Sequence, residues 1–227
     1  MKVSIEIDRS RCALLLVDLQ EEQRLDPNYA VAGFEKIIAN ASELLAGARK
    51  AGLPIFHTAY RRDFDRSPQR PFEPLTAEGK PAFSDKTSPL TTICWEVQPK
   101  AGEQVIYKND ASAFSEAALG HALRQAKIEW LILAGVWSEA CVAASVRDAI
   151  ASGIRVLLVK DACGSGTETM HQTAILNIAN RLYGGAVADT ARALALIRGQ
   201  RAKIWRPERP VPILFHYADA ARHYDRL

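Results

Sequence analysis

The sequence is poor in cysteine, histidine and methionine, and the few that it has are not spaced as metal ligands or crosslinks. Its 227 residues include four Cys, five His and two Met, without a C-x-x-C pair. These absences argue against a disulfide framework and against a zinc site. We therefore expect a reducing compartment in which each cysteine remains a thiol.

Long apolar runs and a strong charge imbalance are also missing. No apolar run approaches the ~20 residues that a membrane span needs, and the amino terminus lacks a cationic segment followed by an apolar signal core. The formal net charge of +3 is small, and Lys and Arg are too scattered to form a nucleic-acid surface. We expect a cytoplasmic protein that binds neither membranes nor nucleic acid.

The sequence does contain a regular alternation of apolar strand-like runs with amphipathic segments. A hydrophobic content of 48% is enough for a real core in one domain of this length. The alternation predicts right-handed βαβ crossovers and an α/β fold of three layers, an open and mainly parallel sheet with helices on both faces. The predicted strands are 12–17, 53–58, 104–107, 130–134, 155–159 and 186–188. The predicted helices are 34–50, 116–125, 141–152, 169–182 and 190–197.

Two segments fall outside this alternation. Residues 61–102 hold six prolines and show little periodicity. A loop of this length in a compact domain usually has a function, so we expect a lid and subunit contact, with disorder as the alternative. Residues 204–227 combine prolines with large apolar side chains, which predicts an extended arm that clasps a neighbouring subunit. The alternative is an arm that folds back over its own subunit. The whole chain, 1–227, is expected to form a single domain.

Cys141 is the cysteine whose position indicates chemistry. The apolar run 131–134 breaks at Gly135, and apolar residues after Cys141 recur with helical spacing. Cys141 is therefore expected at a helix start, where unpaired N–H groups and the helix dipole favour a thiolate and can stabilise an oxyanion. The alternative is that Cys141 is a small buried hydrophobe, as most free cysteines are.

Two charged residues directly follow other predicted strands. Asp18 comes after the run 12–17, and Lys108 comes after the run 104–107. Open α/β sheets bind ligands at the carboxyl ends of their strands, so Asp18, Lys108 and Cys141 are expected to meet there. Together, a carboxylate, an ammonium and a thiol provide a base, a stabilising cation and a nucleophile.

These residues resemble the three motifs of the isochorismatase-like family of cysteine hydrolases. Residues 18–20, Asp-Leu-Gln, match the first motif. Lys108 together with 112–114 matches the second, and 135–142 matches the third. The resemblance covers about residues 11–197. It implies an amidohydrolase that cleaves the C–N bond of a small amide or ureido/carbamoyl compound through a thioester.

The same resemblance implies a role for each motif residue. Asp18 is expected to be the general base, Lys108 the stabilising cation and Cys141 the nucleophile. A cis peptide bond is expected between Val136 and Trp137, with the backbone N–H groups of Trp137 and Cys141 as the oxyanion hole. No cofactor is implied, and a homo-oligomer, either a dimer or a tetramer, is expected.

Candidate substrate-binding residues flank these motifs. Gln23 stands where the family usually has an aromatic residue, and its amide suits a polar planar substrate such as a ureide, unless it points to solvent. Trp137 narrows the acyl pocket or stacks on the substrate, or else is a wall of the core. Arg61 or Arg62 is placed to hold a substrate carboxylate, with a solvated pair as the alternative. Phe114, in the second motif, is included as a pocket residue.

Residues 58–63 lack the Asp and His cluster that metal-binding nicotinamidases carry, so no metal is expected. His57 alone is interpreted as structural. The alternatives to a ureide or amide hydrolase are a metal-free nicotinamidase-like carboxamide hydrolase and a non-catalytic or redox-sensing paralogue that uses Cys141 as its sensor. The three remaining cysteines are interpreted as structural; they are Cys12, Cys94 and Cys163.

Overall fold

Eight strands form one open sheet in the computed structural model, which describes residues 1–227. The strands are β1 (Lys2–Ile5), β2 (Cys12–Val17), β3 (Ile55–Tyr60), β4 (Gln104–Lys108), β5 (Trp130–Val136), β6 (Arg155–Gly164), β7 (Ala186–Ala188) and β8 (Ala202–Trp205). The helices are α1 (Glu22–Leu25), α2 (Phe34–Ala51), α3 (Ala117–Gln125), α4 (Ala143–Ala151), α5 (Glu168–Ala179), α6 (Thr190–Ile197) and α7 (Ala220–Asp225).

The strand order in the sheet is β1-β8-β7-β6-β5-β2-β3-β4. The six strands from β7 to β4 are parallel, and β8 and β1 add an antiparallel edge. Helices α2 and α6 contribute to the core on one face, while α3, α4, α5 and α7 contribute to the core on the other. The predicted fold, an open and mainly parallel α/β sheet covered on both faces, is confirmed.

The continuous apolar runs of the sequence arise because the central strands are buried on both faces. All residues of β2 and β5 are buried. Leu14 and Leu16 belong to one core, and Leu15 and Val17 belong to the other. The strands that the sequence did not predict, β1 and β8, are four-residue elements at the antiparallel edge, and β1 is only partly buried. Strands of only four residues give too short a pattern to be recognised from apolar residues alone.

The topology places a ligand-binding crevice between β2 and β5. From β2 the chain continues to β3 and β4 on one side, whereas β5, β6 and β7 lie on the other. In open α/β sheets, ligands bind at the point where the order of the strands reverses. Gly135, near the end of β5, has φ +132°, and a Cβ there would lie 2.1 Å from the Val17 backbone oxygen. Only glycine allows β5 to approach β2 this closely.

The excursion 61–102 is folded onto the carboxyl edge of the sheet. Arg62 is completely covered by it, forms an ion pair with Glu73, and donates to the Ser67 and Pro68 carbonyl oxygens at 2.8 and 2.9 Å. The structure therefore contradicts both the disordered alternative for this segment and the solvated alternative for Arg62. The excursion as a subunit contact stays a prediction.

The C-terminal residues fold back on their own chain. β8 pairs with β1 and β7, and the Asn180 side chain makes two hydrogen bonds to the Ile213 backbone, at 2.8 and 2.9 Å. Farther along, α7 interrupts the extended path, and Leu227 packs into a core. Much of the arm thus packs on its own chain, as in the alternative, although Leu214 and Tyr217 are exposed. The clasp of a neighbouring subunit and the homo-oligomer stay predictions. None of the helices has the length and apolar character needed to cross a membrane.

The buried ion pair within the excursion should control how firmly this segment is folded. Replacing Glu73 by Gln leaves the Arg62 guanidinium buried without its anion, and we expect a loss of about 3 kcal/mol in the free energy of unfolding. Urea unfolding measures this loss, and limited proteolysis should show faster cleavage within 61–102.

Asp65→Asn is the matched control, because the Asp65 side chain is 86% exposed and its ion pair with Lys86 contributes little. Equal stabilities for Glu73→Gln and Asp65→Asn would show that the Arg62 pair does not hold the excursion.

Candidate active site

Asp18, Lys108 and Cys141 meet at the carboxyl edge of the sheet. Asp18 follows β2, Lys108 is the last residue of β4, and Cys141 lies in a π-helical turn, Ser138–Val142, that follows β5. The Lys108 Nζ is 2.8 Å from Asp18 Oδ2 and 3.4 Å from Cys141 Sγ. Because β3 separates β4 from β2, the long lysine side chain has to span a strand, and its Nζ lies 4.8 Å from the centre of the Tyr60 ring.

Backbone conformation and a threonine on the next strand position the Asp18 carboxylate. Asp18 has φ +51°, in the left-handed region that Asp adopts more readily than most residues. The Thr58 hydroxyl donates to Asp18 Oδ1 at 2.7 Å. Oδ2 accepts no hydrogen bond of good geometry from the protein, so it is available to take a proton.

Lys108 is a buried ammonium that is surrounded by acceptors. The Nζ donates to the carbonyl oxygens of Asp110 and Ala111, at 3.0 and 2.9 Å, in addition to its contacts with Asp18 and Cys141. Burial alone lowers the pKa of Lys108, but the Asp18 charge and the Cys141 sulfur outweigh burial, so the pKa is raised. Lys108 is therefore a fixed positive charge.

The pKa of the Cys141 thiol is raised well above its ordinary value, mainly by burial and then by the Asp18 charge, while Lys108 opposes the shift. Burial and the Asp18 charge thus act against the thiolate that the turn was expected to favour. A neutral thiol lies next to a carboxylate that can accept its proton and a cation that can stabilise the resulting thiolate.

The second sequence motif holds the nucleophile turn in place. The Ala113 backbone N–H donates to Ser145 Oγ at 2.8 Å, and this hydroxyl donates to the Cys141 carbonyl oxygen at 2.6 Å. Phe114 is directed away from the site and packs against the core formed with α3 and α4. Residues 112–114 thus position the cysteine rather than contact a ligand.

A chain of hydrogen bonds supports the same turn from the C-terminal arm. The Ser138 hydroxyl donates to the Gly164 carbonyl oxygen at 2.9 Å and lies 2.8 Å from His171 Nδ1, while His171 Nε2 lies 2.9 Å from the Tyr224 hydroxyl. Burial lowers the pKa of His171 to about 4, so the ring is neutral. A consistent assignment has Nδ1–H donating to Ser138 and Nε2 accepting from Tyr224.

Asp18, Lys108 and Cys141 are called the trio below. A cavity of about 510 Å³ opens onto two of its members, Asp18 and Cys141. Asp18 and Cys141 both contribute to its wall, so the sulfur is accessible to a small molecule. The wall combines an aromatic set, Tyr29, Tyr60, Phe83 and Trp137, with a polar set, Glu22, Gln23, Asn28, Arg70, Ser84 and Asp110. Ligand cavities of this kind, mostly apolar with a few polar groups, are typical binding sites for small molecules.

Gln23 and Trp137 both line the cavity, as the sequence analysis expected of pocket residues. The Trp137 Nε1–H donates to Gln23 Oε1 at 2.6 Å, so the Gln23 side chain is buried and does not point to solvent. A Cβ at Gly166 would lie 2.9 Å from the Trp137 ring, which shows how closely this loop packs on the indole.

Arg61 and Phe114 are not among the residues that line the cavity. The Arg61 guanidinium lies 4.3 Å from the centre of the Tyr107 ring, and Phe114 packs in a core. Tyr60, the residue before Arg61, lines the cavity, whereas the Arg61 side chain packs on Tyr107. Arg70, farther into the excursion, reaches the cavity instead.

Several cavity residues were missed by the sequence analysis. Glu22 and Tyr29 follow β2 without a motif of their own, and Arg70, Phe83 and Ser84 belong to the excursion 61–102. The length of the excursion was the only sequence signal for its three residues. The excursion thus forms one wall of the cavity, as a lid would.

The peptide bond between Val136 and Trp137 is cis, and both residues line the cavity. The Trp137 backbone N–H has no acceptor among the atoms of the protein. It is therefore available to an oxygen atom of a ligand bound beside Cys141.

Potential metal ligands lie outside this cavity. The possible ligand atoms of one cluster lie within 4.8 Å of one another; its members are Glu21, Cys94 and Glu96. Both carboxylates of this cluster accept hydrogen bonds from the Arg24 guanidinium. His57 Nε2 lies 3.0 Å from a carboxylate oxygen of Glu103, and burial lowers its pKa. His57 is thus a structural histidine.

Comparisons with known proteins cover the whole site. A family model described as the isochorismatase domain matches residues 12–192. Maleamate amidohydrolase from Pseudomonas putida is 30% identical over 179 residues, which cover 77% of this chain and 82% of that protein. N-carbamoylsarcosine amidase from Arthrobacter sp. is 31% identical over 159 residues, which cover 67% of this chain and 59% of that protein.

Solved structures show the same fold. A cysteine hydrolase from Pseudomonas syringae superposes with a TM-score of 0.75 at 19% identity, covering 86% of this chain and 95% of that chain. An isochorismatase family protein from Desulfovibrio vulgaris gives a TM-score of 0.72 at 26% identity, covering 81% and 96% of the two chains.

The electrostatics of the trio predict how Cys141 reacts with an alkylating agent. Asp18→Asn removes the charge that raises the Cys141 pKa and leaves Lys108, which lowers it. Alkylation by iodoacetamide at pH 8 should be faster in the variant by about 3- to 30-fold, allowing for the weaker nucleophilicity of a thiolate of lower pKa. Peptide mass spectrometry measures the rate at Cys141 alone.

Asp110→Asn is the control, because Asp110 lines the same cavity but its side chain does not contact the sulfur. An Asp18→Asn variant that is alkylated no faster than the wild type would contradict the assigned electrostatics.

Proposed function

The chain belongs to the isochorismatase domain family, and from this premise we propose that it is a cysteine-dependent amidohydrolase of small amides or ureido/carbamoyl compounds. The observation that carries the proposal is the contact of Lys108 Nζ with both Asp18 and Cys141 in the wall of a small-molecule cavity. The relatives named as a maleamate amidohydrolase and an N-carbamoylsarcosine amidase support hydrolysis of non-peptide C–N bonds.

In the first half of the reaction, Cys141 attacks the substrate carbonyl. Asp18 Oδ2 takes the thiol proton as Sγ bonds to the carbonyl carbon, and Lys108 stabilises the sulfur while it is anionic. The carbonyl oxygen becomes an oxyanion, which the N–H groups of Trp137 and Cys141 are proposed to bind. The C–N bond then breaks, Asp18 returns its proton to the leaving nitrogen, and a thioester remains on Cys141.

In the second half, water releases the acyl group. Asp18, again a carboxylate, takes a proton from a water molecule that attacks the thioester carbon. The second tetrahedral intermediate uses the same oxyanion donors. Its collapse breaks the C–S bond, the proton returns from Asp18 to the sulfur, and the acid leaves.

The raised Cys141 pKa bears on the redox-sensing alternative. Redox-sensor cysteines are low-pKa thiolates, whereas burial and the Asp18 charge keep Cys141 a neutral thiol. The site is therefore better suited to a reaction in which proton transfer and attack occur together, with Asp18 as the base.

The aromatic wall favours one second candidate, a metal-free nicotinamidase-like hydrolase of a ring carboxamide. Tyr60, Phe83 and Trp137 line the cavity, and their apolar ring surfaces can contact an aromatic ring. A relative named nicotinamidase 3 from Arabidopsis thaliana is 24% identical over 74% of this chain and 80% of that protein. A ureide is planar as well, so the wall suits both substrate classes.

Ammonia release from a panel of linear carboxamides, ureides and ring carboxamides tests the proposal. Cys141→Ala should reduce turnover of every accepted substrate at least about a thousandfold, because no other group can form the thioester. Its stability should change by about 1 kcal/mol or less, since the side chain is small and only partly buried. With the wild type, mass spectrometry of a rapidly quenched reaction should find the acyl group on Cys141.

Cys12→Ala serves as the control, because Cys12 is buried in β2 and does not line the cavity. An active Cys141→Ala variant, or an acyl group found on Cys12 instead, would overturn the assignment.

Activity is also expected to survive removal of divalent metals. The cluster Glu21, Cys94 and Glu96 lies outside the cavity and is bonded to Arg24, and the three proposed catalytic side chains need no metal to carry out proton transfer and attack. Turnover after dialysis against a chelator should equal that of the untreated protein. Loss of turnover that is restored by Zn²⁺ or Mn²⁺ would contradict the mechanism.

A further inference from the structure

Glu22 is a buried carboxyl group in the cavity wall that the proposed mechanism does not use. It is the first residue of α1, is 5% exposed, and lines the same cavity as Cys141. Its Oε1 accepts from Ser84 Oγ at 2.8 Å and is 3.4 Å from Gln23 Nε2. Its Oε2 accepts no hydrogen bond from the protein. One oxygen of this carboxyl is therefore held by the protein, and the other is free for a ligand.

The charges in the cavity leave Glu22 without a partner. Lys108 is paired with Asp18 at 2.8 Å, and Arg70 is paired with Asp110 at 3.3 Å. Arg70 also donates to the Asn109 carbonyl oxygen at 2.7 Å. Arg70 is the cation among the residues that line the cavity, and Lys108 lies behind the wall next to Asp18. Each cation has a carboxylate partner, whereas Glu22 has no ion pair. A ligand that complements this wall supplies one positive charge.

The polar neighbours fix Glu22 in position before any ligand binds. The hydroxyl of Ser84 belongs to the excursion 61–102, and the amide of Gln23 accepts from the Trp137 indole through its other end. The carboxyl thus connects the lid-like wall to the segment that precedes the nucleophile. A preorganised group of this kind binds its ligand without a further cost of ordering.

We propose that Glu22 is a specificity-determining residue and that it binds an ammonium or guanidinium group that the substrate carries apart from its scissile amide or ureide. This inference rests on the proposed function for the reaction, and it adds the charge class of the substrate. Oε2 accepts charge-assisted hydrogen bonds from the N–H donors of the cation, which offset the burial of the carboxylate.

Burial, with the charges of Asp18 and Asp26, raises the pKa of Glu22 to about 7, against the hydrogen bond from Ser84. The carboxyl of Glu22 therefore ionises near neutral pH. A cationic ligand binds the ionised form, so binding should tighten as the pH rises through about 7 and then level off. The titratable groups around Glu22 are Asp18, Asp26, Tyr29, Tyr60, Arg70, Asp110 and Cys141.

Three linear amides of similar length and different terminal charge test the proposal by ammonia release. They are 5-aminopentanamide, which is cationic, hexanamide, which is neutral, and glutaramate, which is anionic. The wild type should favour the cationic amide over the neutral one at least tenfold in kcat/KM. In Glu22→Gln this ratio should fall at least tenfold, whereas in Glu43→Gln, which changes an exposed carboxylate on α2 outside the cavity wall, the ratio should persist.

A binding experiment separates this inference from the proposed reaction. Calorimetry can measure the affinity of the Cys141→Ala variant for 5-aminopentanamide without any turnover. This affinity should rise roughly tenfold between pH 6 and pH 8, a range in which the ligand stays charged. In the double variant Cys141→Ala/Glu22→Gln, the affinity should not rise with pH. Cation binding without hydrolysis of any amide by the wild type would count against the proposed function alone.

Two outcomes would overturn the role of Glu22. A wild-type preference for glutaramate, or binding that tightens towards acid pH, would indicate recognition of a carboxylate by Arg70 or by protonated Glu22. Hydrolysis that shows no preference among the three amides would remove Glu22 from substrate selection.

Discussion

The buried ammonium of Lys108 is the interaction on which the site depends. Its Nζ contacts the Asp18 carboxylate and the Cys141 sulfur, and two backbone carbonyl oxygens hold it in place. A buried charge is costly unless it is paired and hydrogen-bonded. Because the Lys108 ammonium needs these contacts, it fixes the distance between the Asp18 carboxylate and the Cys141 sulfur. Burial and the Asp18 charge raise the pKa of the Cys141 thiol, while Lys108 acts in the opposite direction.

The sheet supplies the frame that makes this contact possible. The reversal of strand order between β2 and β5 opens a crevice, and Gly135 allows the two strands to approach closely at that point. Lys108 reaches the crevice from β4 across an intervening strand. Lysine is long enough to span this distance, so the trio can come from strands that are not neighbours.

Two polar chains connect distant parts of the sequence to the nucleophile turn. One runs from Tyr224 through His171 to Ser138, and so couples the C-terminal arm to the turn that carries Cys141. The other runs from Ser84 through Glu22 and Gln23 to the Trp137 ring. The excursion and the arm are therefore part of the architecture of the site, although neither contributes a residue of the trio.

Local sequence patterns predicted the six parallel strands, the helical layers and the three side chains that meet at the carboxyl edge of the sheet. Strands buried on both faces produce continuous apolar runs, and the carboxyl ends of parallel strands share one edge, so Asp18, Lys108 and Cys141 could be located without coordinates. Only the tertiary structure decided the cavity wall, because Glu22, Arg70 and Ser84 come from irregular segments whose path depends on long-range contacts. It also decided the charge state of Cys141, since burial and a neighbouring carboxylate outweigh the local effect of the turn.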